Sequence, residues 1–165
     1  DGAADASRWL EAAKIIGVIA GIVLGGRLLL RPALRWIAFV LLIWNLIGVA
    51  MFVSQWRMDA QDIAQMPSTQ QFLWTHMSAR VWIAYATAVI AGTLGAAALW
   101  RRHKVAVPLF AVGLLALIVQ FTNPVLLETA AREGYGLMAF PLFLIGIGGV
   151  QLWPAYRWRG NGWLA

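Results

Sequence analysis

Two amide side chains, Asn45 and Gln120, are the first candidates for chemistry, because each interrupts a long run of apolar residues. An amide donates and accepts hydrogen bonds, but it does not change its charge near neutral pH. Unpaired amides are costly in an apolar environment, so Asn45 is expected to face neighbouring helices and to hydrogen-bond across them. A contact between Asn45 and a bound substrate is the alternative. The two residues therefore predict buried polar contacts or ligand binding rather than catalysis.

Residue types that carry catalysis are scarce in this sequence. The chain contains no cysteine, which excludes disulfides, thiolate metal sites and cysteine nucleophiles. The central parts of the apolar runs contain no ionisable residue, and no serine or threonine occurs in a triad-like pattern with a histidine and a carboxylate. We therefore predict no catalytic residues and no enzyme activity.

The two histidines do not predict a metal site. His76 and His103 fall at opposite ends of one predicted helix, so they cannot bind one metal ion together. Met77 follows His76 and could suggest a haem or metal ligand, but the expectation is a surface histidine without a ligand role. No cofactor is predicted, although a bound lipid or pigment is compatible with the aromatic residues expected near the membrane surface.

The clearest structural signal is a pair of apolar runs separated by a basic turn. Residues 81–100 carry no charge, and a helix of this length spans about 30 Å, the thickness of the hydrocarbon core of a bilayer. Residues 105–121 form the second run, after Arg101, Arg102, His103 and Lys104. Only 12% of all residues are charged, compared with about 25% in soluble domains. The sequence therefore predicts an all-α membrane protein.

The other apolar runs extend this hairpin to a bundle. Helices are predicted over residues 33–53 and 135–156, which gives a membrane domain of four transmembrane helices in residues 33–165. Pro141 is expected to kink the last of these helices, and Pro154 is expected to end it. A fifth, N-terminal helix is predicted within residues 1–32, and we expect it to span the membrane. A helix lying in the membrane surface is the alternative for this segment.

The polar interval of residues 54–80 is predicted to contain two short helices. Asp59 is suited to cap the first of them. Ser68 and Gln71 have the spacing of a capping box, which would begin the second.

Small residues recur every four positions on two of the predicted helices. Gly17, Gly21 and Gly25 share one face of the N-terminal helix, and Ala88, Gly92 and Ala96 share one face of the third helix of the membrane domain. In lipid, such faces let another helix approach closely and gain packing contacts. The alternative is that glycine is simply frequent in membrane helices. We favour helix packing.

The charges separate by the side of the membrane that each loop must occupy. All seven acidic residues fall on one side, and the other side collects eight basic residues and no acidic one. The positive-inside rule places the basic side, including the C-terminus, in the cytoplasm and the N-terminus in the periplasm. The short basic clusters form no continuous basic face, so nucleic-acid binding is not expected. The basic group is Arg27, Arg31, Arg35, Arg101, Arg102, Lys104, Arg157 and Arg159.

Several segments of residues 33–165 together resemble a family of small bacterial inner-membrane proteins. The resemblance is carried by Trp44-Asn45-Leu46-Ile47-Gly48-Val49, residues 58–67, Gly92-Thr93-Leu94-Gly95, Gln120 and Gly162-Trp163-Leu164. Proteins of this kind have four helices, are often labelled sugar transporters and have no established activity. The chain departs from them at Ala79-Arg80-Val81-Trp82, where they tend to have a proline before the tryptophan, and in its additional residues 1–32.

Two functional expectations follow. The first is a non-enzymatic accessory subunit that docks on a larger membrane complex, or on itself, through small-residue helix faces. The second is a carrier for a small neutral solute that works as an oligomer, with Asn45, Gln120 and Asn123 lining its pathway.

Overall fold

The described part of the chain is helical throughout. The computed structural model describes residues 34–164, and residues 38–165 form one compact unit. The predicted N-terminal helix, with Gly17, Gly21 and Gly25, lies outside the described residues. The elements are α1 (Leu34–Trp56), α2 (Ala60–Ala64), α3 (Ser68–Thr75), α4 (Ala79–Trp100), α5 (Ala106–Phe121), α6 (Pro124–Glu133), a 3-10 turn (Tyr135–Met138) and α7 (Ala139–Gly160).

Three of the described helices are long and apolar enough to cross a membrane. They are α1, α4 and the segment Tyr135–Gly160, and α5 and α6 together make a fourth candidate if they count as one span bent by 54°. The prediction of an all-α protein with membrane-length helices is thus confirmed at this level.

Helix α1 packs antiparallel along α4. Near the start of α1, the ring of Phe39 lies 6.1 Å from that of Trp100 at the end of α4. Near the end of α1, the ring of Phe52 lies 5.0 Å from that of Tyr85 in the first half of α4. Ring edges that meet ring faces at these distances are favourable aromatic contacts. The pairs fix the register of the two helices over most of their length.

The small-residue face of α4 is filled from within the chain. Ala88, Gly92 and Ala96 are buried, and α5 approaches α4 so closely that a Cβ atom on Gly113 would lie 3.5 Å from both the carbonyl oxygen of Ala88 and the backbone nitrogen of Gly92. Close backbone approach at small residues is how helices gain packing contacts where the solvent is lipid. This face is therefore occupied by the chain's own helices.

The polar stretch after α5 forms a helix, α6. The Asn123 side chain accepts a hydrogen bond from the Leu126 amide at 3.0 Å, which caps α6, and Pro124 occupies its first turn, where no N–H is needed. Proline also disfavours the helical conformation of the residue before it. Asn123 and Pro124 thus account for both the end of α5 and the start of α6.

The two prolines of the last helix lie at different places within it. Pro141 lies in the first turn of α7, where the missing N–H of proline has no helical partner to lose. The prediction that Pro154 ends the helix is wrong, since α7 continues to Gly160.

Helices α4 and α7 end in the same way. After α7, Gly162 has φ +69°, and the Trp163 amide donates to the Trp158 carbonyl oxygen at 3.0 Å. After α4, Arg102 has φ +59°, and the His103 amide donates to the Ala98 carbonyl oxygen at 2.8 Å. Both are Schellman terminations, which satisfy carbonyl groups at a helix end.

One of the two predicted caps in residues 54–80 is present. Asp59 and Asp62 form a capping box at α2. The predicted box of Ser68 with Gln71 is wrong, because α3 begins without a side-chain cap. The Gln71 amide instead donates to the carbonyl oxygens of Ala64 and Met66, at 2.8 and 2.9 Å. It thereby ties α3 to the end of α2.

Candidate binding cavity

A cavity of about 480 Å³ lies between the helices. Residues of α1, α4, α5, α6 and α7 form its walls, and α3 with the residues after it contributes to one end. A site between the helices of a bundle is a usual place for a small ligand, and the volume lies in the usual range of 300–1,000 Å³. Its walls are mostly aliphatic and aromatic, and include Trp44, Trp74, Val89, Leu117, Phe140 and Leu144.

Helix α3 is held at its place by contacts with two other helices. The Thr69 hydroxyl donates a hydrogen bond to a carboxylate oxygen of Glu133 at the end of α6. The ring of Trp74 lies 5.4 Å from that of Trp82 on α4. These contacts bring Leu73, Trp74 and Met77 to the cavity wall.

Asn45 links α1 to α7 inside the bundle. It is 9% exposed, and its Nδ2 donates to Gln151 Oε1 at 2.9 Å and to the Leu41 carbonyl oxygen at 2.7 Å. Gly92 provides the room for this amide, because a Cβ atom on Gly92 would lie 2.2 Å from Asn45 Oδ1. The position of the Asn45 side chain on α1 therefore requires a glycine at position 92 of α4.

The sequence reasoning missed Gln151. It is 6% exposed, lines the cavity and accepts the hydrogen bond from Asn45. The signal was present, because Gln151 lies well inside the apolar residues 135–156, as Asn45 lies within residues 33–53. What could not be known was which two amides would meet, since they are 106 residues apart in the chain.

Gln120 lies at the break between α5 and α6. The residue is 7% exposed and lines the cavity. Its backbone carbonyl oxygen accepts a hydrogen bond from Asn123 Nδ2 at 2.7 Å. Its Oε1 atom is fully buried and has no hydrogen-bond partner among residues 34–164. Gln120 thus places a buried amide beside the break between α5 and α6.

The cavity carries no fixed charge from the described side chains that line it, since none of them is Asp, Glu, Lys or Arg. His76 lines it, and its Nδ1 lies 2.8 Å from the Phe72 carbonyl oxygen. A carbonyl oxygen can only accept, so Nδ1 is the donor. The residues around the cavity are suited to holding an uncharged molecule by packing and hydrogen bonds.

Within residues 34–164, no three His, Cys, Asp or Glu side chains are grouped as metal ligands would be. His76 precedes α4 and His103 follows it, and the 22 residues of α4 span about 33 Å. The structure therefore keeps the two histidines apart, as the sequence indicated.

Comparison with known proteins gives no relative: no family model matches the chain, and no curated protein or solved structure is significantly similar to it. The resemblance to small four-helix membrane proteins stays a prediction.

Proposed function

We propose that this chain binds a small uncharged molecule in the cavity between its helices and acts as a carrier for it, working as an oligomer. The observation that carries this proposal is a cavity whose described lining residues include no charged side chain but do include the amide residues Asn45, Gln120 and Gln151 of α1, α5 and α7. A charged ligand would lose its hydration there without gaining an opposite charge. An uncharged ligand loses less, and the amides supply hydrogen bonds that orient it.

Filling the cavity tests this proposal. We expect Leu144→Trp to displace the ligand, because Leu144 lines the cavity. The matched control is Leu142→Trp, two residues earlier on α7, at a side chain that is 60% exposed and does not line the cavity. Native mass spectrometry of protein purified from its membranes in mild detergent should detect an uncharged small molecule on the wild type and the control.

The identified molecule is then used in a flux assay with reconstituted vesicles. Wild type and Leu142→Trp are expected to carry it, and Leu144→Trp is expected to lose most of the flux above the lipid background. Identical ligand content and flux in all three proteins would refute a role for the cavity.

The proposed location is a bacterial inner membrane, with the C-terminus in the cytoplasm and the N-terminus in the periplasm. Support comes from the membrane-length helices and from the positive-inside rule. Arg101, Arg102 and Lys104 follow α4, and Arg157 and Arg159 lie in the last turn of α7.

A second candidate function is an accessory subunit that docks on another membrane protein. One face of α7 favours it, because Cβ atoms on Gly146 and Gly149 would meet no atom of residues 34–164 within 4 Å. Large exposed side chains flank these glycines, with Phe143 at 55% and Val150 at 65% exposure. Such a face can receive another helix, whereas the small residues of α4 are already covered.

Co-purification in mild detergent tests the docking proposal. Gly146→Leu is expected to remove a co-purifying membrane protein while the purified chain keeps its unfolding temperature, because a Cβ atom at this position meets no described residue within 4 Å. Val112→Leu is the control, since Val112 is an exposed residue on α5. A wild-type chain that always purifies without another protein would contradict the proposal.

A further inference from the structure

Basic side chains gather at one end of the described helices. Arg101, Arg102 and Lys104 belong to the turn between α4 and α5, and Arg157 and Arg159 lie in the last turn of α7. All of them are exposed except Arg102, which is half-buried. We call the first three residues the turn cluster and the other two the tail cluster.

The two clusters lie at the same level along α5 and α7. The last residues of α5 and the first residues of α7 line the same cavity, and a Cβ atom on Gly148 of α7 would lie 3.0 Å from the Leu114 side chain of α5. The two helices therefore run antiparallel. Arg159 lies eleven residues after Gly148, and Lys104 lies ten residues before Leu114, which are nearly equal distances at about 1.5 Å per residue.

The side-chain carboxylates of residues 34–164 lie at the opposite end. They are Asp59, Asp62, Glu128 and Glu133. Glu133 accepts a hydrogen bond from Thr69 of α3, and both α3 and α2 precede the start of α4. None of these carboxylates neutralises the two clusters, so the positive charges within each cluster repel one another. An anionic group from outside the chain would relieve that repulsion.

The surroundings of the tail cluster indicate that this anionic group belongs to a lipid. Trp153 and Tyr156 are 64% and 69% exposed, and the Arg157 guanidinium lies 5.4 Å from the centre of the Trp153 ring. Exposed aromatic residues beside basic ones are typical of the level of the lipid headgroups. Arginine is also well suited to phosphate, to which it can donate two parallel hydrogen bonds.

We propose that this end of the helices binds an anionic phospholipid with two phosphate groups, which is the chemistry of cardiolipin, and that each cluster holds one phosphate. Packed helices lie about 8–10 Å apart, and long arginine and lysine side chains bring their charges closer than that. Two phosphates joined by one glycerol unit can therefore meet both clusters. The inference goes beyond the cavity and does not need a ligand there, but it rests on the proposed membrane location.

Native mass spectrometry of the purified chain in mild detergent tests this proposal. The chain is titrated with tetraoleoyl cardiolipin, with dioleoyl phosphatidylglycerol, which has one phosphate, and with dioleoyl phosphatidylcholine, which has no net charge. We expect cardiolipin to bind at least about tenfold more tightly than phosphatidylglycerol, because the second phosphate binds at a high effective concentration once the first is held. Phosphatidylcholine should bind most weakly. Equal affinities for cardiolipin and phosphatidylglycerol would overturn the proposal.

Variants without charge test whether each cluster holds a phosphate. Arg101→Gln combined with Lys104→Gln removes two charges from the turn cluster, and Arg157→Gln combined with Arg159→Gln removes both charges of the tail cluster. In each double variant the preference for cardiolipin should fall to about twofold or less, because one phosphate has lost its partner. A preference that survives in both would contradict the proposed contacts.

Arg57→Gln combined with Arg80→Gln is the matched control, since it removes the same charge at exposed side chains near the opposite end of α4. This control should keep the preference for cardiolipin, and a loss equal to that of the cluster variants would show that net charge alone governs binding. Arg157→Lys combined with Arg159→Lys keeps the charge and should keep most of the preference. Without added lipid, all these variants should unfold at the temperature of the wild type, because the replaced side chains are exposed.

Two further results separate the remaining explanations. If inorganic phosphate at the same phosphate concentration displaces bound cardiolipin, the site takes a soluble anion and the proposal is wrong. If the chain stays dissolved in buffer without detergent, the proposed membrane location fails together with the inference. If the chain needs detergent but binds all three lipids equally, the inference alone fails, and the proposed location and the role of the cavity are unaffected.

Discussion

Replacing Gly92 by leucine is expected to lower the free energy of unfolding by about 3 kcal/mol or more, the upper range for overpacking a core. A Cβ atom alone would lie 2.2 Å from Asn45 Oδ1, and α5 leaves no space on its side, because Gly113 approaches the Gly92 backbone. The longer side chain must therefore separate helices or expel Asn45 from its place. Thermal unfolding in mild detergent, followed by tryptophan fluorescence, measures the loss.

Gly146→Leu is the matched control, because it makes the same substitution on a membrane-length helix at a position where a Cβ atom would have no neighbour within 4 Å in the described structure. Its unfolding temperature should stay close to that of the wild type. Equal losses in the two variants would show that leucine is simply unfavourable at helical glycines and that the contact of Gly92 with Asn45 has no special weight.

A smaller substitution at position 92, Gly92→Ala, measures how much of the destabilisation comes from the contact with Asn45. Gly92→Ala adds only the Cβ atom that meets the end of the Asn45 side chain, so it should cost about as much as losing the bond from Asn45 to Gln151, about 0.6–2 kcal/mol. In Asn45→Ala the obstacle is absent, and Gly92→Ala should then cost little. Additive effects would contradict the contact.

The helix boundaries could be predicted because their signals are local. The uncharged residues 81–100 and 105–121 correspond to Ala79–Trp100 and Ala106–Phe121, and the intervening basic residues mark the turn in any arrangement of the bundle. Pro154 misled the prediction because a proline near a helix end is compatible with both stopping and continuing. Helix α7 continues past Pro154 to Gly160 and ends in the Schellman termination at Gly162. The hydrogen bonds of that termination cannot be read from the apolar pattern of residues 135–156.

The candidate site was predictable in its residue types and not in its pairings. Asn45 and Gln120 attract attention as amides within apolar runs, and both line the cavity. Their surroundings differ for a reason that neither segment contains. Asn45 donates a hydrogen bond to Gln151 on α7, whereas no donor in the described part of the chain meets Gln120 Oε1. Likewise, Gln71 bonds to the end of α2 and not to its own helix start, because the turn between α2 and α3 brings those carbonyl groups within reach.

The proposed orientation depends on where the charges lie relative to the long helices. Arg101, Arg102 and Lys104 follow α4. Asp59 caps α2 and Asp62 lies within it, so both precede α4. The two groups are thus separated by the length of α4, a helix long and apolar enough to span a membrane. Basic residues near helix ends are retained in the cytoplasm, so the turn after α4 should face inward and α2 outward.

Single cysteines report this orientation cleanly because the chain has none of its own. Gln61→Cys and His103→Cys place thiols at exposed positions on either side of α4. A membrane-impermeant maleimide should label Gln61→Cys in intact spheroplasts and label His103→Cys only after lysis. Leu115→Cys, at a side chain that is 63% exposed on α5, should resist labelling in both because lipid covers it. The reverse pattern for the first two would invert the orientation, and full labelling of all three without lysis would refute a membrane location, since no bilayer would then separate the ends of α4.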